Sequence, residues 1–185
     1  MPYPEKTAKE MTRERAKKAT SSATLPAPAR ATVAIAFVQG MLAGLEHAGR
    51  DTARLLEGAH IAAQVLNDPG ARIPVDRYAD LYNRINSELD DEGFGLFSMP
   101  IRSGTFEFLC RSTITAPTLA EAIERSIRFL RLLLPDLGVH LDIHPEQACL
   151  SIVENRPLVI GRVFAFEWLL RLLHGLFSWL VGRNI

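Results

Sequence analysis

The stretch TLAEAIERSIRFLRLLLPDLGVHLDIHPEQACLSIVE, residues 118–154, decides the fold class. Its first half has the period of a helix. Leu119, Ile123, Ile127, Leu130 and Leu134 recur on one stripe. Thr118 stands where an N-cap belongs, and Glu121, three residues on, completes a capping box. Pro135 marks the end, while Arg125, Arg128 and Arg131 flank the stripe within reach of Glu121 and Glu124. The period then drops to two. Val139, Leu141 and Ile143 alternate with His140, Asp142 and His144. After Pro145–Gln147 the chain resumes with Cys149, Leu150, Ile152 and Val153, which predicts a β-hairpin with a short turn. A lone hairpin is marginal in water, so this one has to pack on helices or join further strands. The expected class is therefore α+β, mostly helical, with a small antiparallel sheet or hairpin near the C-terminal part.

Upstream the signals are helical. IPVDRYADLYNRINSEL, residues 73–89, places Tyr78, Leu81, Tyr82, Ile85 and Leu89 on one stripe, with Asp76, Arg77, Asp80 and Arg84 elsewhere. TVAIAFVQGMLAGLEHAG, residues 32–49, aligns Val33, Phe37, Val38, Met41, Leu42 and Leu45, and Gly49 is placed to stop it. Asp51 is the expected N-cap of a short helix, and a second short piece ends before Pro69. These two pieces superficially resemble a helix-turn-helix. The second lacks the basic cluster that a DNA reader needs, so that reading is set aside. Between residues 90 and 104, three glycines and a proline surround the apolar FGLFSM, which predicts a buried element between turns.

Downstream, RVFAFEWLLRLLHGLFSWLVGRNI, residues 162–185, is apolar almost throughout. Between Val163 and Val181 only Glu167, Arg171 and His174 ionise. The apolar run is close to the roughly 20 residues needed to cross a bilayer. Glu167 and Arg171 are costly there. They fit one polar edge of a buried helix better, so no membrane partner is expected. If nothing covers this helix, several of Phe164, Trp168, Leu172, Phe177 and Trp179 are exposed, and self-association follows. Phe164, Trp168, Leu172 and Trp179 are the candidate interface residues.

The totals set bounds. A length of 185 residues suits one domain plus a tail. Lys and Arg number 21, and so do Asp and Glu, so the chain as a whole has no bulk attraction for nucleic acid. Residues 1–30 hold seven Lys/Arg and three Glu, then a Ser/Thr/Ala/Pro stretch; they read as a basic, disordered tail and linker. Residues 31–185 form the expected domain. The start has no apolar core of a secretory signal. Cys110 and Cys149 stand apart among apolar neighbours and read as reduced thiols of a cytoplasmic protein.

No phosphate-binding glycine loop, nucleophile elbow or HExxH motif occurs. His140 and His144 have no third ligand nearby and read as solvent-facing strand residues. Asp90, Asp91 and Glu92 read as turn and capping material. No catalytic residue, metal or cofactor is expected, and the protein is not expected to be an enzyme. A small-molecule pocket is the better expectation, because Phe37, Tyr78, Tyr82, Phe94, Phe97, Phe106, Phe108 and Phe129 supply apolar walls. Arg102, beside two of them, is placed to hold an anionic or carbonyl group. The candidate ligand-binding residues are Arg102, Phe106, Phe108, Tyr82 and Phe129.

In order along the chain, ARIPVDRYADLYNRI, DDEGFGLF, MPIRSGTFEFLCRSTITAPTLAEAIERSIRFLRLL and the alternating strand pair resemble the N-terminal effector domain of AraC-type transcriptional regulators. This is the arabinose-binding-like N-terminal domain. The upstream VAIAFVQGMLAGLEHAGRDTARLLEGAHI and LNDPGARIP fit the same order, and the resemblance runs from about residue 32 to 182. It implies a module that senses an unknown small-molecule effector and forms a homodimer. In such regulators, promoter DNA is bound by a following helix-turn-helix domain. That part is missing before Ile185, so the expectation is a sensing and dimerisation domain truncated before its DNA-binding part. The alternative is an interaction module without a ligand, associating through its apolar C-terminal helix.

Overall fold

The computed structural model describes residues 31–185, so the expected basic tail and linker of residues 1–30 lie outside the described residues. The elements are β1 (Thr32–Ala34), α1 (Ile35–His47), α2 (Ala53–Gly58), a 3-10 turn (Ala63–Asn67), β2 (Arg72–Pro74), α3 (Val75–Leu89), α4 (Thr105–Thr113), α5 (Leu119–Leu133), β3 (Leu137–Ile143), β4 (Ala148–Glu154) and α6 (Arg162–Val181). The class is mostly helical α+β with two small antiparallel sheets, one of them in the C-terminal part.

The period switch after residue 134 falls where expected. α5 buries Ala122, Ile123, Ser126 and Leu130, and β3 and β4 pair antiparallel from Leu137↔Glu154 to Ile143↔Ala148. This register puts Val139 opposite Ile152 and Leu141 opposite Leu150, so one face of the hairpin is apolar and packs on the helices. The backbone N–H of His144 donates to the Gln147 carbonyl and closes the turn. Half of the capping box forms. The Glu121 N–H donates to Thr118 Oγ1 at 3.2 Å, but the Glu121 carboxylate turns to Arg125 four residues on. A charge-assisted bond to a guanidinium outweighs one to a neutral backbone N–H.

β1 is a correction to the helical reading of Thr32 and Val33. Val33 pairs with Ile73 and Ala34 with Arg72, an antiparallel contact between three-residue strands some forty positions apart. The second short piece after α2 is a single 3-10 turn rather than a second helix, which leaves no helix-turn-helix there.

Two apolar clusters make the core. The first gathers Val38, Met41, Leu42 and Leu45 of α1, Leu81 and Ile85 of α3, Phe94 and Leu96 of the connecting loop, and Phe164 and Ala165. The second gathers Leu109, Ile123, Leu130, Leu137 and Val139 with Leu169, Leu173, Leu176 and Phe177. Helix α6 runs through both: its first turns belong to one cluster and its later turns to the other. Phe164 and Phe177 are therefore buried, at 6% and 2% exposure, and the expectation that they are exposed is corrected. The helix is long and apolar enough to cross a membrane, yet six of its residues are core, packed against α1, α5 and β3. Burying each large side chain is worth about 2 kcal/mol, which accounts for the apolar residues on the buried face.

The loop of residues 90–104 is organised by the acidic run. Asp91 is buried, and its carboxylate accepts from the backbone N–H groups of Gly93, Gly95 and Ile101 at 2.7–2.9 Å. This holds Phe94 at φ 60, a left-handed conformation costly for a bulky residue. Full burial of the ring offsets the strain. It packs at 5.2 Å from Tyr82, 5.7 Å from Phe164 and 5.9 Å from Trp168, centroid to centroid.

Candidate functional site

Helical spacing brings Tyr78 and Tyr82 of α3 to one face, four residues apart, and Trp168, Arg171 and Leu172 of α6 to another. The small sheet adds Thr32, Val33, Ala34 and Arg72. With Phe37 of α1 and Phe106 of α4, these residues line a cavity of about 490 Å³. That lies within the usual range for small-molecule sites, about 300–1,000 Å³.

Each wall is fixed by a local cause. The Arg72 guanidinium donates from Nε to Thr32 Oγ1 and from Nη2 to the Thr32 carbonyl, both at 2.8 Å, which ties β2 to β1. Phe106 sits in the first turn of α4. There the Glu92 carboxylate accepts from the backbone N–H groups of Gly104 at 2.7 Å and Phe106 at 2.9 Å. An acid at a helix N-terminus is favoured by the exposed amides and the helix dipole. Phe94 and Phe97 back Trp168 from the loop side, each with ring centroids 5.9 Å away. Arg171 lies with its Cζ 4.5 Å from the centre of the Phe37 ring, a cation–π contact. Among the described residues no carboxylate lies within ion-pair distance of Arg72 or Arg171.

The two tyrosines are neutral donors. Burial, with Tyr82 adding to it and Arg171 opposing, pushes Tyr78 up from 10.0 to about 12. Burial also raises Tyr82. Among the described residues no Asp, Glu, Asn, Gln or His lines the cleft. The site is thus a partly open, apolar and aromatic cleft carrying two exposed guanidinium groups and three hydroxyls.

The structure brings Tyr82 and Phe106 together in this cavity, and with them Trp168 and Leu172 of the expected interface. It does not bring Arg102, Phe108 or Phe129 there. Arg102 is exposed and pairs with Asp90 at 3.1 Å. Phe108, two residues beyond Phe106, points some 200° round the helix. It stacks on Phe129 of α5 with ring centroids 5.6 Å apart and stays 60% exposed. Of the expected interface residues, Phe164 is core, Trp168 and Leu172 are half-buried, and Trp179 is 60% exposed. Sequence reasoning missed Arg72, Arg171, Thr32 and Val33 as site residues. Arg171 carried a signal, a cation three residues from a tryptophan on an apolar helix.

The other concavities are less suited to a ligand. A groove of about 770 Å³ between α2 and α3 is lined by charges that already pair, among them Arg54 with Glu88 at 3.3 Å and Arg84 with Asp80 at 3.0 Å. Among the described residues no group of three His, Cys, Asp or Glu is placed to hold a metal. Burial pushes the Cys110 thiol up, away from thiolate chemistry.

A mostly helical α+β module with an apolar, cationic cleft has the build of a small-molecule-binding domain. Residues 49–185 match the family described as the arabinose-binding domain of AraC transcription regulator, N-term, and the chain belongs to that family. This is a regulator's ligand-binding domain rather than an enzyme family. The chain is also similar to the ornithine utilization regulator of Pseudomonas aeruginosa, with 23% identity over 154 residues. That alignment takes in 83% of this chain and 45% of the relative, so the chain spans less than half the relative's length.

Proposed function

We propose that residues 31–185 form the effector-sensing and dimerisation module of an AraC-type transcriptional regulator working in the cytoplasm. The cavity between β1–β2, α3 and α6 is its effector site. The observation that carries this is the partly open cleft itself. Residues far apart in sequence converge on about 490 Å³ of mostly apolar space with a few polar groups.

Helix α6 gives the site a route outward. Trp168, Arg171 and Leu172 face the cavity, while Val163, Leu170 and Trp179 on the same helix are large, apolar and at least half exposed. An effector that binds one placement of α6 better than another shifts the population of that placement, and with it any contact made by the exposed residues. In this reading a second copy meets Trp179 and its exposed neighbours, and promoter DNA is contacted by a part of such regulators beyond the region matched here.

The reading is tested by differential scanning fluorimetry against a metabolite panel, with Trp168 emission followed in a W179F background. A compound that stabilises the protein and changes Trp168 emission supports it. Binding that leaves Trp168 emission unchanged and survives Tyr82→Ala removes the cavity as the effector site.

A further inference from the structure

We infer that the cavity takes an organic carboxylate with an apolar body, its carboxylate received by Arg171 and Arg72. The inference rests on the reading of the cavity as the effector site and specifies the chemistry of the occupant.

Hydrogen-bond donors outnumber acceptors among the lining side chains. Arg72 and Arg171 each carry five N–H donors and a fixed positive charge. Arg72 uses two donors on Thr32. Arg171 rests on the face of Phe37, and a ring face leaves the N–H donors at the edge of the guanidinium uncommitted. The Tyr78 and Tyr82 hydroxyls are protonated at neutral pH and can donate too. Against this surplus, the lining side chains among the described residues include no carboxylate and no amide; their acceptors are hydroxyl oxygens.

A pentose brings hydroxyls that accept as well as donate, but no charge to pair with the two exposed guanidinium groups. A polyamine brings only cations to cations, and a dibasic amino acid brings two of them with its one carboxylate. A carboxylate brings only acceptors and one negative charge, and its two oxygens match the guanidinium fork. The rest of the lining, Val33, Ala34, Phe37, Phe106, Trp168 and Leu172, offers aliphatic and aromatic surface to an apolar body. A bare inorganic anion would leave that surface facing water.

The test uses four probes on the full chain: 4-phenylbutyrate, 4-phenyl-1-butanol, 4-phenylbutylamine and L-arabinose. Dissociation constants come from calorimetry, and cavity occupancy from Trp168 emission in W179F. The carboxylate is expected to bind about tenfold or more tighter than the alcohol, as suits hydrogen bonds to a charged group. The amine and the sugar should bind weakest. R171Q should reduce the carboxylate to the alcohol's affinity and leave the alcohol unchanged. Added salt should weaken the carboxylate alone, a check that needs no variant. Equal affinity for carboxylate and alcohol overturns the anion assignment, as does an unchanged preference in folded R171Q. So does a Trp168 response led by the amine or arabinose, although the effector site then stands. Silence of Trp168 to all four probes overturns both readings.

Discussion

Gly44 on α1 and Gly175 on α6 are both helical, yet alanine should act on them with opposite sign. Replacing a helical glycine by alanine ordinarily stabilises by about 0.8–1 kcal/mol, through the lost freedom of the unfolded chain. At Gly175 nothing lies within 4 Å of an added Cβ, so G175A should keep that gain. At Gly44 the added Cβ would stand 2.0 Å from the Phe94 carbonyl oxygen and 3.0 Å from the Gly95 carbonyl carbon. The obstacle is backbone, and it has to retreat by well over an ångström. That backbone is pinned by the three bonds to Asp91 and by the Phe94 ring between Tyr82, Phe164 and Trp168. Overpacking of this kind costs about 1–3 kcal/mol, and occasionally more. Because the obstacle is pinned backbone, the upper part of that range applies, about 2–3 kcal/mol, and after the helical gain G44A should be destabilised by about 1–2 kcal/mol. At about 3 °C per kcal/mol for a chain of this size, G44A should melt roughly 3–6 °C lower and G175A roughly 2–3 °C higher. Thermal unfolding followed by circular dichroism, checked by urea titration, measures both. The retreat of Phe94 should also alter Trp168 emission in a W179F background. A G44A protein at least as stable as the parent would refute the close approach of α1 to this loop.

Removing the Asp91 carboxylate orphans three backbone N–H groups, so D91A should lose about 3 kcal/mol, read from the urea midpoint; a loss under about 0.5 kcal/mol would show that Asp91 does not organise the loop. Tyr78 is protonated in both states below pH 10, and its phenol ionises near pH 10 when unfolded but near 12 when folded. Its contribution to stability is thus fully present below about pH 10 and is lost between there and pH 12, and Y78F should flatten that part of the stability–pH curve; identical curves for the two proteins would contradict the burial of the phenol. Trp179 is exposed, so W179K should leave the melting temperature within about 2 °C of the parent and reduce self-association in light scattering. A dimer unaffected by W179K would take Trp179 out of the interface.

The sequence by itself determined the elements whose causes are local. The stripes of α3 and α5, the stop at Pro135, the change of period and the Pro145–Gln147 turn are contacts between near neighbours in the chain. A periodic pattern there is the buried face itself. The ordered motifs from about residue 32 to 182 likewise indicated the family, whose match covers residues 49–185.

Only the tertiary structure decided what depends on distant residues. The β1–β2 pairing joins two three-residue strands, too short for any period to show. The surroundings of α6 could not be read from α6, because a helix apolar nearly all round gives no direction to its faces. Its sequence left Phe164, Phe177 and Trp179 looking alike, and two core clusters bury the first two and leave the third in solvent. The cavity is of the same kind. Arg102, Phe106 and Phe108 are close in sequence, but a two-residue step turns a helix by some 200°, so only Phe106 reaches it. Its charged partners, Arg72 and Arg171, come from a strand and a helix a hundred residues apart, joined by packing that neither segment encodes alone.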